Sequence, residues 1–210
     1  MSKKGDKKTY QEFKIITIGE TGVGKTSIIK RYVDQTFQEG IMSTLSTVGI
    51  STFKKNITLK SGIKITLNLV DTCGQEKYRS IAKSYFRNVD GVLFVFSLYE
   101  RDTFQNMTEW INLFNQNNED KKDIPKYLIG NKSDLEHMVN DDEIQEFCNK
   151  FDELNYVETS AKHNTEIDEL FQELGEKLYE IEEKNPQTKQ YIKLMTKKKK
   201  RSCCSNEDLY

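Results

Sequence analysis

FKIITIGETGVGKTSIIKRY, residues 13 to 32, joins a short apolar run to a helical pattern across a turn holding three glycines. Phe13, Ile15, Ile16 and Ile18 have the length and branching of a strand buried on both faces. Ile28, Ile29 and Tyr32 recur instead at three and four residues, the spacing of one helix face. The turn between them, Gly19 to Thr26, reads G-x-x-x-x-G-K-[ST] in the strand-to-helix setting that gives the motif meaning. Glycines there let backbone N–H groups turn inward around phosphate oxygens, and the helix N-terminus adds the positive end of its dipole. Gly22, Val23, Gly24, Lys25, Thr26 and Ser27 are the expected cradle. Lys25 would reach the terminal phosphates, and the Thr26 hydroxyl would hold magnesium. The plain alternative is a glycine-rich turn with no ligand.

Outward from this stretch, residues 65 to 71, 91 to 98, 125 to 132 and 155 to 160 read as further strands. Residues 102 to 117, 141 to 151 and 166 to 184 read as amphipathic helices. KKNITLKSGIKITLNLV breaks the alternation, because two runs around Ser61-Gly62 suit an antiparallel hairpin at one sheet edge. The expected fold is therefore α/β: a mostly parallel six-stranded sheet with one antiparallel edge strand and helices on both faces. Ligands of such sheets sit at the carboxyl ends of the strands. Asn185-Pro186 closes the last helical pattern, which predicts a short flexible extension over 1 to 12, one domain over 13 to 184 and a flexible tail over 185 to 210.

The 210 residues carry a formal net charge of −1, so no global field favours nucleic acid. Cys73, Cys148, Cys203 and Cys204 lack metal-site spacing, and adjacent cysteines rarely pair, which suits a reducing, intracellular compartment. The longest apolar run, in GVLFVFSL, is far below the roughly 20 residues of a membrane span. Ser2 excludes N-myristoylation by the usual motif. Trp110, with Ile111 and Phe114 at helical spacing, reads as core; His137 and His163 read as surface residues, and Glu180, Glu182 and Glu183 as a solvated helix face.

Three further motifs end other strands. VDTCGQE places Asp71 where a carboxylate can join a magnesium shell, Gly74 near the γ-phosphate, and Gln75 where it would orient an attacking water. NKSD carries Asp134, which can accept from the ring N–H and amine of guanine, a pair adenine does not present. In the same motif Asn131 would tie the loops together and the stem of Lys132 would lie over the base or ribose. ETSAK contributes Ser160, Ala161 and Lys162, the Ala161 N–H being free to approach the guanine oxygen. Each motif alone is also what a solvated turn looks like; four in this order, each ending a different strand, point to a guanine-nucleotide site.

Residues about 13 to 182 resemble a small GTPase of the Ras superfamily, and GETGVGKT, STVGI, GQEKYRSIAKSYFR, GNKSD, ETSAK and a late cysteine pair resemble its Rab branch. The resemblance implies a P-loop G domain that binds GTP or GDP with Mg2+, hydrolyses GTP slowly, with Gln75 as catalytic residue, and recruits effectors when GTP orders its switches. It also implies an exchange factor, a GTPase-activating protein, a GDP-dissociation inhibitor or escort protein, and residence on the cytoplasmic face of an intracellular membrane with a cytosolic pool. A monomer that binds no nucleic acid is expected.

The pattern bends in places. Thr47, in STVGI, is preferred over Thr44 as the switch threonine that would hold magnesium, although Thr44 lies at the more usual distance from Lys25. Phe37 resembles the aromatic that flanks the guanine ring, an anchor for its own loop being the alternative. Val70 stands where the branch carries a tryptophan, and Phe53 falls one residue later than the usual aromatic. With a third resembling Tyr85, those aromatics form the apolar surface that effectors read, so an atypical set of partners is implied. Cys73 replaces an alanine and suits packing, and neither Arg79 nor Arg87 can be assigned an arginine-finger role from spacing alone.

The tail ends KKKKRSCCSNEDLY, 197 to 210. Five cations would contribute at most about 5 kcal/mol on an anionic surface at about 1 kcal/mol each. Lipidation of Cys203 and Cys204 would add stable anchoring. The trailing SNEDLY excludes a C-a-a-X signal and leaves prenylation, palmitoylation and free thiols open. A soluble Ran- or Ras-like signalling GTPase is the nearer rival, favoured by an unlipidated tail. A P-loop phosphotransferase is the more distant one, since it leaves NKSD and ETSAK unexplained.

Overall fold

Strand β1, Gln11–Ile18, pairs in parallel on both edges, and everything else is arranged around it. The computed structural model describes residues 10–37, 50–72, 85–119, 123–151 and 154–184. In chain order the elements are β1, α1 (Lys25–Asp34), β2 (Ile50–Thr58), β3 (Lys64–Thr72), β4 (Gly91–Ser97), α2 (Arg101–Gln105), α3 (Met107–Gln116), β5 (Lys126–Asn131), α4 (Asp141–Cys148), β6 (Leu154–Thr159) and α5 (Ile167–Lys184). The sheet has six strands in the order β2-β3-β1-β4-β5-β6. Only the β2–β3 pair is antiparallel, so the mixed architecture with one antiparallel edge strand is as expected.

Side chains alternate across a strand, so successive residues of β1 feed different cores. Ile15 packs with Ile28, Ile29, Tyr32, Phe171 and Leu174 on the α1/α5 side. Ile16 packs with Phe94, Trp110, Ile111, Phe114 and Ile144 on the α3/α4 side. Both isoleucines are fully buried, each contributing about 1.5–3 kcal/mol by leaving water. All seven residues of β4 are buried, the signature of a strand covered on both faces.

Element ends depart from the apolar patterns where backbone bonding outruns or cuts short the side-chain signal. β1 starts at Gln11 because Gln11 and Glu12 continue the ladder opposite Ile65 and Thr66 despite polar side chains. The pattern over 102 to 117 divides at Asn106, whose carbonyl accepts from both Glu109 and Trp110, and this tightening separates α2 from α3. The pattern over 141 to 151 ends at Cys148, followed by i to i+3 bonds from Lys150 to Phe147 and from Phe151 to Cys148. The start of α4 is a capping box: Asn140 Oδ1 accepts the Glu143 N–H and the Glu143 carboxylate accepts the Asn140 N–H. At the hairpin, Gly62 takes the left-handed conformation and bonds back to the Leu59 carbonyl.

Register places Ser97, Asn131 and Thr159 side by side at the carboxyl ends of β4, β5 and β6. The loop after β1 and the end of β3 lie at the same edge of the sheet. No described helix is long and apolar enough to cross a membrane, and no cluster of possible metal ligands with three or more His, Cys, Asp or Glu occurs among the described residues.

Candidate functional site

The phosphate-loop sequence curls around its own lysine. Lys25 is buried, and its ammonium donates to the carbonyls of Gly19 at 2.8 Å and Glu20 at 2.7 Å. Gly19 is required for that path, because a Cβ there would fall 2.0 Å from the Val95 carbonyl oxygen of β4. The Glu20 carboxylate is buried as well and accepts the Trp110 indole N–H at 3.1 Å. Trp110 is thus the core residue expected from its spacing and also a tie between α3 and the loop. Residues ninety apart in sequence carry no local signal of such a bond.

Thr26, in the first turn of α1, donates its hydroxyl to Asp71 Oδ2 at 2.7 Å, joining the loop to the end of β3. Burial pushes the Asp71 carboxyl upward, opposed by the Thr26 hydrogen bond and by the charges of Lys25 and Lys30. Its other oxygen, Oδ1, is buried with no hydrogen-bond partner. A hydroxyl beside an unpaired carboxylate oxygen is the hard-oxygen donor set that a magnesium ion takes. The two residues therefore fit the metal that the sequence implies. Thr72 Oγ1 bonds the Thr17 carbonyl and Thr17 Oγ1 bonds the Val70 carbonyl, fixing this end of β3 against β1.

Asn131 joins three segments. Its Nδ2 donates to the Val23 carbonyl at 2.8 Å, while its Oδ1 accepts from Thr159 Oγ1 at 3.2 Å and from the Ala161 N–H at 3.3 Å. Gly24 leaves room for this amide, since a Cβ would lie 2.2 Å from Asn131 Nδ2. Ser160 donates to Asp134 Oδ1 at 2.6 Å and accepts the His163 N–H at 3.1 Å, so NKSD and ETSAK form one hydrogen-bonded unit. Lys132, in the left-handed conformation, directs its ammonium to Glu100 at 3.0 Å. Only its aliphatic stem is left to cover a ring.

Of the expected site residues, Gly22, Val23, Gly24, Lys25, Thr26, Ser27, Asp71, Asn131, Lys132, Asp134, Ser160, Ala161 and Lys162 lie at this one edge. Phe37 is half-buried against the α1/α5 core, with the Arg31 guanidinium carbon 5.6 Å from its ring centre. Thr44, Thr47, Cys73, Gly74, Gln75, Arg79, Cys203 and Cys204 lie outside the described residues. His137 and His163 are exposed, as expected. Arg31 escaped the sequence reading: its Nε donates to the Ala161 carbonyl at 2.8 Å and its Nη2 to the Lys162 carbonyl at 2.9 Å.

The effector-type aromatics are arranged unlike the pattern the resemblance implies. Val70 is buried in the α3/α4 core, against which Tyr85 also packs. Phe53 pairs with Leu69 and packs on the opposite, α1/α5, side, because a one-residue shift along a strand reverses the face. Exposed Thr52 occupies the position opposite Val70 instead.

Lys25, the Thr26–Asp71 pair and the hydrogen-bonded NKSD and ETSAK loops gather at the carboxyl edge of a six-stranded mixed sheet, the arrangement of a P-loop guanine-nucleotide protein. The model of the "Ras family" matches residues 14–180. "Ras-related protein Rab-11A" of Dictyostelium discoideum is 34% identical over 86% of this chain and 83% of its own length. "Ras-related protein YPTC6" of Chlamydomonas reinhardtii is 33% identical over 86% of this chain and 82% of its own. "Ras-related protein Rab-12" of Mus musculus is 33% identical over 78% of this chain and 65% of its own. The chain belongs to the Ras family and is a Rab-type small GTPase, a GTP-hydrolysing protein of membrane traffic.

Proposed function

We propose that the chain works as a GDP/GTP switch whose nucleotide sits along the carboxyl edge of the sheet. The observation that carries this reading is the triple tie of Asn131, which couples the phosphate loop at Val23 to the ETSAK loop at Thr159 and Ala161. Phosphate and base contacts then form one rigid frame. Gly22 to Ser27 would hold the phosphates, Lys25 neutralising their charge, and Asp134 would select guanine with Ala161 and Lys162 receiving its oxygen. Phe37 would flank the base.

Thr26 and Asp71 would hold Mg2+, with Thr47 joining when GTP is bound; the ion supplies charge neutralisation at the β- and γ-phosphates. Gln75 is assigned to orient the attacking water, with Gly74 at the γ-phosphate. Effectors, an exchange factor, an activating protein and a GDP-dissociation inhibitor or escort protein are the expected partners. The basic tail, lipidated at Cys203 and Cys204, would hold the protein at the cytoplasmic face of an intracellular membrane. The domain is taken to run from the start of β1 at Gln11, two residues before the expected 13, to 184.

Competition of GDP and ADP against a fluorescent GDP tests the site: the reading requires a preference for GDP on the order of a thousandfold or more, because adenine leaves the Asp134 carboxylate without its donors, and fails if ADP competes comparably. Single-turnover hydrolysis in Gln75→Leu tests the catalytic assignment, since an unchanged rate with and without an activating protein removes it. Intact mass of protein from its native cells tests the anchor. Two isoprenoid additions at the cysteine pair support it, and an unmodified tail on uniformly soluble protein excludes it.

A further inference from the structure

We infer that Arg31, on α1 and outside every nucleotide motif, is a positioning residue that aims the ETSAK backbone at the guanine oxygen. Its guanidinium serves three carbonyls at once: Ala161 at 2.8 Å, Lys162 at 2.9 Å and Gln35 at 3.3 Å. The same group lies over the Phe37 ring. A planar fork is suited to bridging adjacent carbonyls in a way that a lysine ammonium is not.

The consequence follows from peptide geometry. In a trans peptide the C=O and N–H of one plane point in opposite directions. Drawing the Ala161 carbonyl toward α1 therefore turns the Lys162 N–H away from it. The preceding N–H, that of Ala161, already points to the Asn131 side of the loop, where it makes only a long 3.3 Å bond to Oδ1. The far side of this turn is tied to Asp134 through Ser160, so the loop is held from both flanks. The Gln35 carbonyl and the Phe37 ring give the same guanidinium a grip on the chain leaving α1. A single residue thus links the base-reading loop to the segment that leads toward the first switch.

This inference rests on the guanine site proposed above, and the test separates the two. Affinities of the full chain with Mg2+ are measured for GDP and for 6-thio-GDP, which keeps the ring N–H and amine that face Asp134 but replaces the oxygen by sulfur, a weak acceptor. Wild type is expected to prefer GDP. In Arg31→Met, which keeps the aliphatic stem, GDP affinity should fall about tenfold, the scale of one hydrogen bond, while 6-thio-GDP affinity changes much less. Arg31→Lys should recover part of the preference and serves alone if the methionine variant does not fold. Equal losses on both nucleotides, or full retention of the preference, would overturn the role of Arg31. A wild type that binds both alike would overturn the base reading and this inference with it.

Discussion

Asn131 and Val23, 108 residues apart in the chain, are joined by a 2.8 Å hydrogen bond from the side-chain amide to the backbone carbonyl. Asn131→Ala removes this bond and leaves Thr159 Oγ1 and the Ala161 N–H without their buried acceptor. The expected cost is about 2 kcal/mol in denaturant unfolding. GDP release should accelerate by more than about tenfold, because the loop frame loosens as well. Gly24→Ala should reproduce the release defect by forcing the same amide aside. Wild-type release rates in both variants would show that the tie is incidental to binding.

Asp71 offers one oxygen to Thr26 and keeps the other buried without a partner. If that oxygen serves Mg2+, chelation by EDTA should speed GDP release strongly in wild type and only slightly in Asp71→Asn, which keeps the shape but not the charge. An undiminished EDTA response in the variant would assign the ion elsewhere. Nucleotide release followed by fluorescence, with and without chelator, gives the comparison directly.

Glu143 accepts from the Arg101 guanidinium and from the Asn140 N–H, and these bonds, Arg101 first, hold its carboxyl below its ordinary value of 4.5. A depressed carboxyl stabilises the folded state above that ordinary value and loses the contribution as pH falls through the lower, folded one. Glu143→Gln should therefore lower the melting temperature near neutral pH, and its deficit relative to wild type should shrink as pH is taken below 4.5. Asn140→Ala, which removes the cap of α4, should cost about 1 kcal/mol. A Glu143→Gln deficit constant across the range would remove the charge from the account.

Phe53 and Val70 sit on opposite faces of the sheet, and both pack inward. Phe53→Ala should destabilise by about 1–2 kcal/mol, less than a fully buried phenylalanine. Val70→Trp, which inserts the side chain usual for the branch, should overpack the α3/α4 core at a cost of about 1–3 kcal/mol. Urea unfolding reads both. Stability unchanged by Val70→Trp would mean that the large ring finds the surface, and the partner-reading patch is then closer to the family's arrangement than the structure shows.

Sequence alone determined the class of fold and drew together most of the candidate site, because those features are local. The Gly19–Thr26 turn carries its motif in eight consecutive residues; Asp71 and Asn131 lie at strand ends, and Ala161 follows one, each strand announced by a short run. The short branched run of β1 likewise differs locally from α1, where Ile28, Ile29 and Tyr32 recur at three and four residues. The antiparallel hairpin was readable from Ser61-Gly62 for the same reason.

Only the tertiary structure decided which distant groups meet. Trp110 reaches Glu20, Arg31 reaches Ala161 and Lys162, and Phe53 turns away from Val70 through contacts and register that no local pattern encodes. The division of the 102 to 117 pattern at Asn106 belongs here too, because it depends on two N–H groups sharing one carbonyl. A hydrogen bond between residues ninety or more positions apart leaves no periodic trace in sequence. It exists because the sheet order brings β1, β3, β5 and β6 to a common edge, where buried polar groups must find partners in one another.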